Sequence, residues 1–234
     1  MKSMTANVDV SKLKKTVKTL FLTVFCFSLS SCSVSQRYEI PYQKGTTFYY
    51  EAVVDSGGQQ IIKDTLIMEI KGKKFIGALL GLNFVQWSSK TNPNYSEKRG
   101  INLRERSVEL QTPLNVPYME NEFAVIAPYP KYDADLNVNS TSTITHRLAL
   151  SYGKLGGKTI EQTSTVKDSA QCSYLGKELE CKVREGHNVS LQDKYGKYST
   201  VTHYHEDYGF VMIKLFYPNG KEISLNLVGF SKGK

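Results

Sequence analysis

Two of the four cysteines, Cys172 and Cys181, have the clearest capacity for covalent chemistry. If Gly176-Lys177 forms the two-residue loop of a type II′ hairpin, with glycine at its first central position, Cys172 lies directly opposite Cys181. This is a non-hydrogen-bonded pair, whose α-carbons approach to about 4.5 Å, at the short end of disulfide geometry. The sequence therefore predicts a Cys172–Cys181 disulfide. Two buried thiols acting as small hydrophobic groups are the alternative.

The histidines are the next candidates, as metal ligands. His203 and His205 alternate along a predicted strand, and His187 lies one strand earlier, whereas His146 is isolated. Imidazoles spaced in this way can share a metal ion. Because the spacing fixes no third ligand, we interpret His203 and His205 as solvent-facing strand residues. We predict no metal site and no cofactor.

The serines and acidic residues form no recognisable catalytic motif. The chain contains no Gly-x-Ser-x-Gly elbow, no phosphate-binding loop, no His-Glu-x-x-His motif and no paired carboxylates in a recognisable setting. We therefore assign no catalytic residue and predict that the protein is not an enzyme.

A third cysteine, Cys32, ends the sequence Leu29-Ser30-Ser31-Cys32. The apolar run Leu20–Leu29 precedes it and follows four lysines, which is typical of a secretory signal rather than a membrane span. This motif resembles the bacterial lipobox, whose cysteine thiol takes a diacylglycerol. The resemblance implies that residues 1–31 are a signal peptide, that Cys32 is lipidated, and that residues 32–37 form a tether held on a membrane by acyl chains such as palmitate. An ordinary signal peptide, cleaved near Ser31, is the alternative.

Residues after Cys32 bear on the destination of the chain. Ser33 stands where an aspartate would resemble an inner-membrane retention signal, and residues 33–37 lack the acidic cluster that resembles a surface-export signal in Bacteroidota. We therefore expect an outer-membrane lipoprotein of the cell envelope, facing the periplasm. That compartment is oxidising, which favours the disulfide.

The net charge argues against nucleic acid as a partner. Removing residues 1–31 takes away five of the 30 Lys and Arg and one of the 22 Asp and Glu, so the formal charge falls from +8 to +4. No basic stripe is interleaved with stacking aromatics in the remainder. The sequence therefore predicts no nucleic-acid partner.

The elements that must position these residues are β-strands. Beyond residue 37, runs rich in Val, Ile, Thr, Tyr and Phe alternate with Gly, Asn, Asp and Pro. We predict one all-β domain over residues 38–234, a single antiparallel sheet of sequential hairpins curved into a barrel or half-barrel, because its apolar face must be covered. The predicted strands are Thr46–Val54, Gln59–Ile70, Phe75–Trp87, Ile101–Leu110, Glu122–Ile126, Ser142–Tyr152, Lys158–Val166, Ala170–Tyr174, Glu178–Val189, Tyr198–Glu206, Phe210–Tyr217 and Lys221–Phe230, with long loops at Ser88–Gly100 and Thr112–Asp135.

The last hairpin can be assigned in detail. Pro218-Asn219-Gly220 fits a three-residue loop, with proline at the first position of a type I turn and glycine in the left-handed bulge position. This loop places Ile213 opposite Leu225 and Leu215 opposite Ile223. A two-residue Asn-Gly loop would mix apolar and polar faces, so the three-residue loop is preferred.

The C-terminal third carries a wider resemblance. It contains Leu179-Glu180-Cys181-Lys182-Val183, then a long strand through His203 and His205, then Gly209-Phe210 and the closing hairpin. This order resembles envelope lipoproteins of Bacteroidota and, more remotely, the half-barrel lipoprotein carriers LolA and LolB. The resemblance implies a curved sheet with an apolar concave face and transfers no ligand-binding residue.

Two functional hypotheses follow. The first is a non-catalytic binding module for a lipid or similar amphipathic ligand at the membrane, held there through Cys32. The second is a structural or assembly subunit of an outer-membrane or periplasmic complex. It is motivated by the Thr112–Asp135 segment, which carries many apolar side chains for one proline-rich loop: Phe123, Val125, Ile126, Tyr129 and Tyr132.

Overall fold

The structure is a computed structural model that describes residues 40–72, 82–113, 116, 118, 126–148 and 155–233. The predicted signal peptide, Cys32, the tether and most of the predicted strand Glu122–Ile126 lie outside these residues. The described strands all belong to one compact unit, Tyr38–Lys234. This unit has its own sheet and its own core, which is the property of a part that folds independently.

The fold is all-β, as predicted. A short 3-10 turn (Ile40–Tyr42) precedes the first strand, and one helical turn, α1 (Gln192–Tyr195), lies between the ninth and tenth strands. None of the helical segments among the described residues has the length and apolar character needed to span a membrane. The strands are β1 (Thr47–Ser56), β2 (Gln59–Gly72), β3 (Leu82–Ser89), β4 (Ser96–Arg104), β5 (Ser107–Leu110), β6 (Lys131–Asp133), β7 (Thr141–Arg147), β8 (Thr159–Tyr174), β9 (Lys177–Asn188), β10 (Ser199–His205), β11 (Gly209–Phe216) and β12 (Lys221–Ser231).

These strands form one antiparallel sheet in the order β6-β5-β4-β3-β2-β1-β12-β11-β10-β9-β8-β7. Pairing of β1 with β12 joins the two ends of the described chain. β6 and β7 are the edge strands, and within the described residues they do not pair with each other. Of the two predicted architectures, the structure therefore has the open half-barrel and not the closed barrel.

The concave face holds the core. In β1, side chains alternate strictly, and Phe48, Tyr50, Ala52 and Val54 are fully buried. Trp87 of β3 packs 5.9 Å from the ring of Tyr50. Each large apolar side chain buried in this way contributes about 1.5–3 kcal/mol. Burial of one face of the sheet is therefore what favours its curvature.

Several predicted strand boundaries are wrong. The predicted strand Ile101–Leu110 is a hairpin of β4 and β5 that turns at Glu105-Arg106, a dipeptide with no glycine, proline or asparagine to mark it. The predicted loop Ser88–Gly100 contains the polar start of β4, and the predicted loop Thr112–Asp135 contains β6. The break predicted between Val166 and Ala170 is a β-bulge inside β8.

The register of the last hairpin is confirmed. Ile213 pairs with Leu225 and Leu215 with Ile223. Gly220 has φ +81°, and its N–H donates to the carbonyl oxygen of Tyr217 at 3.1 Å. The turn residues and the two-faced pattern therefore specify the same pairing.

The register predicted for the cysteine hairpin is wrong by two residues. Its loop is Leu175-Gly176, with φ of +49° and +74°, the pattern of a type I′ turn. Cys172 therefore pairs with Leu179, and Cys181 with Ala170. Because side chains alternate with period two, this slip keeps both cysteines on one face. Cys172 and Cys181 are diagonal neighbours with α-carbons 6.2 Å apart, within disulfide range, and the structure joins their sulfurs.

A candidate binding cleft at the open edge of the sheet

The segment that crosses from β5 to β6 is described at residues 111–113, 116, 118 and 126–130, and residues 126–128 contact the inner face of the sheet. The Gln162 side-chain amide donates to the carbonyl oxygens of Ile126 and Ala127, both at 2.9 Å. The Thr200 hydroxyl donates to the carbonyl oxygen of Pro128 at 2.9 Å. These bonds satisfy backbone groups that would otherwise be buried without partners. The described end of this crossing segment is therefore attached to β8 and β10.

A second anchor holds the crossing segment near its start. The carboxylate of Asp64 on β2 accepts hydrogen bonds from the hydroxyls of Thr91 (2.6 Å), Ser89 (2.8 Å) and Tyr118 (3.2 Å). Burial on its own raises the pKa of this carboxyl, but the hydrogen bonds outweigh burial and hold the pKa below its ordinary value. Asp64 is therefore an ionised, buried acceptor that fixes Tyr118 to β2.

A cleft of about 420 Å³ lies where the sheet is open. One wall comes from β5 and β6, with Glu109 and Lys131, and the facing wall comes from β7, with Ile144 and His146. The crossing segment contributes Tyr129. The cleft thus exists because the two edge strands do not pair, and it combines apolar and polar side chains.

His146 contributes a neutral group to this cleft at physiological pH. Burial lowers the pKa of its imidazole, and the opposing carboxylate of Glu109 acts in the raising direction. Burial prevails, so the pKa lies below its ordinary value. His146 can therefore donate and accept hydrogen bonds without adding charge.

Arg184 of β9 is the charged group that the sequence patterning missed. It lies on the inner face and is 7% exposed. Its Nε donates to the Ser164 hydroxyl at 3.0 Å, and its Nη2 donates to Ser164 at 2.7 Å and to Ser142 at 2.5 Å. Arg184 pairs with Thr202 of β10 and with Val166 of β8, and both of these residues are buried, so strand pairing places its side chain on the buried face.

The histidines do not assemble into a three-ligand site. His187 pairs with Ser199, four residues from His203 along β10, which is about 13 Å at the rise of a strand. The described residues contain no group of three or more His, Cys, Asp or Glu side chains placed to hold a metal ion. The absence of a metal and of a cofactor stays a prediction.

The apolar residues of the crossing segment are largely used within the chain itself. Ile126 and Tyr132 are buried in the core, and Tyr129 lines the cleft. Phe123 and Val125 lie outside the described residues. The hypothesis of an assembly subunit therefore has less support, because the described apolar side chains of this segment face their own sheet.

Similarity to known proteins is found among solved structures, at low sequence identity. No protein-family model matches the chain, and no curated protein matches it. Among solved structures, a Bacteroides fragilis protein with a YmcC-like fold is 8% identical, with 82% of this chain and 98% of that chain covered and a TM-score of 0.45. The hypothetical lipoprotein YmcC from Escherichia coli is 11% identical, with coverages of 89% and 95% and a TM-score of 0.38. A LolA superfamily protein from Nitrosomonas europaea is 10% identical, with coverages of 86% and 93% and a TM-score of 0.26.

Proposed function

We propose that this protein is a membrane-anchored lipoprotein of the cell envelope and a non-catalytic binding module for a lipid or similar amphipathic ligand. The ligand would occupy the cleft between the edge strands. The observation that carries this proposal is the open edge itself, where β5 and β6 face β7 and β8 across about 420 Å³ instead of pairing.

The size and lining of the cleft support a small amphipathic ligand. Pockets for small molecules measure about 300–1,000 Å³ and combine apolar walls with a few placed polar groups. Ile144, Leu148 and Pro128 supply apolar surface here, while Gln162 and Lys131 supply polar groups. The core of the half-barrel is filled by aromatic and aliphatic side chains over β1–β3 and β10–β12, so binding is assigned to the edge cleft and not to the whole concave face.

A cavity-blocking variant tests the cleft. A soluble form, residues 33–234 exported behind a cleavable signal, is titrated with a fluorescent fatty-acid probe. Ile144→Trp places a larger ring in the cleft and should weaken binding about tenfold or more, which corresponds to about 1.4 kcal/mol. Val228→Trp is the matched control, because Val228 is similarly exposed but lies on β12, away from the cleft.

The controls distinguish specific binding in the cleft from nonspecific binding to the protein surface. Equal weakening by Ile144→Trp and Val228→Trp would indicate nonspecific binding. Native mass spectrometry of the same soluble form, purified without added lipid, should show a co-purifying ligand. If the probe and the mass spectra both show no binding, the proposed function is wrong.

The anchor is tested separately. In cells given a labelled fatty acid, the full chain should incorporate label and fractionate with the outer membrane, whereas Cys32→Ser should incorporate none. Labelling that persists in Cys32→Ser would contradict the assignment of Cys32 as the lipidation site, without affecting the cleft.

A further inference from the structure

The guanidinium of Arg184 has one donor group that the protein does not use. Its Nε and Nη2 donate to Ser164 and Ser142, whereas Nη1 is buried and has no hydrogen-bond partner among the described residues. Buried guanidinium groups are normally paired with an anion or fully hydrogen-bonded, because burial removes the hydration of the charge. The Nη1 group of Arg184 can therefore donate a further hydrogen bond to an acceptor placed beside it.

The nearby carboxylates do not fill it. Asp133 and Glu109 are close enough to favour the charged form of Arg184, but within the described part of the chain neither forms an ion pair with it at 4.0 Å or less. Asp133 instead pairs with Lys131, at 3.9 Å. The positive charge of Arg184 is thus only indirectly balanced.

Arg184 borders a small cavity next to the cleft. This cavity measures about 20 Å³ and is lined by Arg184, Asp133 and Tyr204, among others. Lys131 lines both this cavity and the larger cleft, and Ser164, the partner of Arg184, also lines the cleft. The two cavities therefore share Lys131, and Ser164 contacts Arg184 from the side of the cleft.

The charge of the two cavities together is positive. Their lining contains four basic side chains, Lys131, Arg147, Lys182 and Arg184, against two acidic ones, Glu109 and Asp133. Guanidinium and ammonium groups recognise carboxylates and phosphates through charge-assisted hydrogen bonds. A neutral head group would accept a hydrogen bond from Arg184 without balancing its charge, and a cationic head group would be repelled.

We propose that the ligand of the cleft is an anionic amphiphile whose carboxylate or phosphate group is bound by Arg184 and Lys131 at the inner end of the cleft. This inference rests on the proposed function, because it names the chemical class of the ligand for the same site. The apolar walls, Ile144 and Leu148, contact the alkyl part. The Arg184 Nη1 donates to the acidic group while Nε and Nη2 stay on the two serines.

The test compares amphiphiles that share one alkyl chain. Decyl phosphate, decanoate and 1-decanol each compete with the fluorescent probe on the soluble form, with inorganic phosphate as a fourth competitor. We expect the two acidic amphiphiles to bind about tenfold more tightly than 1-decanol, from charge-assisted hydrogen bonds. Inorganic phosphate alone should compete weakly, because it lacks the alkyl part.

Two variants assign the preference to its residues. Arg184→Gln should abolish the preference for acidic amphiphiles over 1-decanol. Lys131 lies on the opposite wall and is partly exposed. Lys131→Gln should therefore reduce the preference for acidic amphiphiles, and it serves as the test if Arg184→Gln does not fold. Lys167→Gln is the matched control, since it removes one positive charge from β8 at an exposed position paired with Glu185.

Each outcome bears on the inference. Equal affinities for 1-decanol and the acidic amphiphiles would overturn the inference, and so would the absence of any effect of Arg184→Gln and Lys131→Gln. Either result would leave the proposed function intact. A water molecule would then be the hydrogen-bond partner of Arg184 Nη1. Tight binding of inorganic phosphate alone would overturn the amphiphile and indicate a free-anion site. If no amphiphile binds, the inference and the proposed function both fail.

Discussion

The Cys172–Cys181 disulfide should contribute measurably to the stability of the fold. The structure places the two residues on one face of the β8–β9 hairpin with a sequence separation of 9. In the loop-entropy account, closing a loop of this length stabilises the folded state by about 2–3 kcal/mol. For a domain of this size, where 1 kcal/mol corresponds to about 2–4 °C, the melting temperature should fall by about 5–10 °C on reduction.

The assay uses the soluble form, secreted into an oxidising compartment. Thermal unfolding is followed with and without reductant, and the double variant Cys172→Ala/Cys181→Ala serves as the control. Reductant should lower the melting temperature of the wild type and leave that of the variant unchanged. The variant should melt at or below the reduced wild type, because Cys181 is fully buried and its truncation also leaves a cavity.

Peptide mapping gives the refuting result. Trypsin cleaves after Lys167, Lys177 and Lys182, so the two cysteines fall in the separate peptides 168–177 and 178–182. A non-reducing digest should contain these two peptides covalently joined. If both are recovered separately and alkylated from protein that was never reduced, the disulfide is absent and the alternative of two buried thiols is correct.

Four further predictions concern stability. Leu175→Asn should raise the free energy of unfolding, measured by urea denaturation, by about 0.5–1 kcal/mol, because Leu175 has φ +49° and asparagine tolerates this conformation better than leucine. Under the register predicted from sequence, Leu175 would lie in a strand, and the same substitution should lower the free energy of unfolding. Asp64→Asn should cost about 2–3 kcal/mol at neutral pH. Because the folded-state pKa of Asp64 is lowered, its contribution is present at neutral pH and is lost as the pH falls below the usual aspartate range, so the variant should show a flatter acid limb in melting temperature against pH. Tyr118→Phe should lower stability in the same direction but less, since Asp64 keeps its other donors, and a loss equal to that of Asp64→Asn would contradict this ranking. Zinc should not shift the melting temperature, and a shift abolished by the double variant His203→Ala/His205→Ala would reverse the metal prediction.

Local signals in the sequence were sufficient for the class of fold and for one hairpin. The strand alternation predicted an all-β antiparallel sheet, and Pro218-Asn219-Gly220 predicted the register of β11 and β12. Both depend on neighbouring residues alone, through side-chain period and turn chemistry. The register predicted for the cysteine hairpin is wrong because that prediction also rested on neighbouring residues alone. A leucine in a left-handed conformation has no local signature, and a two-residue slip leaves the faces unchanged, so patterning could not detect the error.

The openness of the sheet and the cleft were decided only by the tertiary structure. The sequence allowed a barrel or a half-barrel, since both bury the same face of every strand. The edge strands face each other across a gap, and in the described part of the crossing segment the carbonyl oxygen of Pro128 accepts a hydrogen bond from Thr200 of β10. Arg184, Lys131 and Ile144 come from β9, β6 and β7, and no spacing along the chain relates them. A binding site assembled from separate strands becomes visible only when the curvature of the sheet brings those strands together, because the period of each strand fixes its face and not its neighbours across the gap.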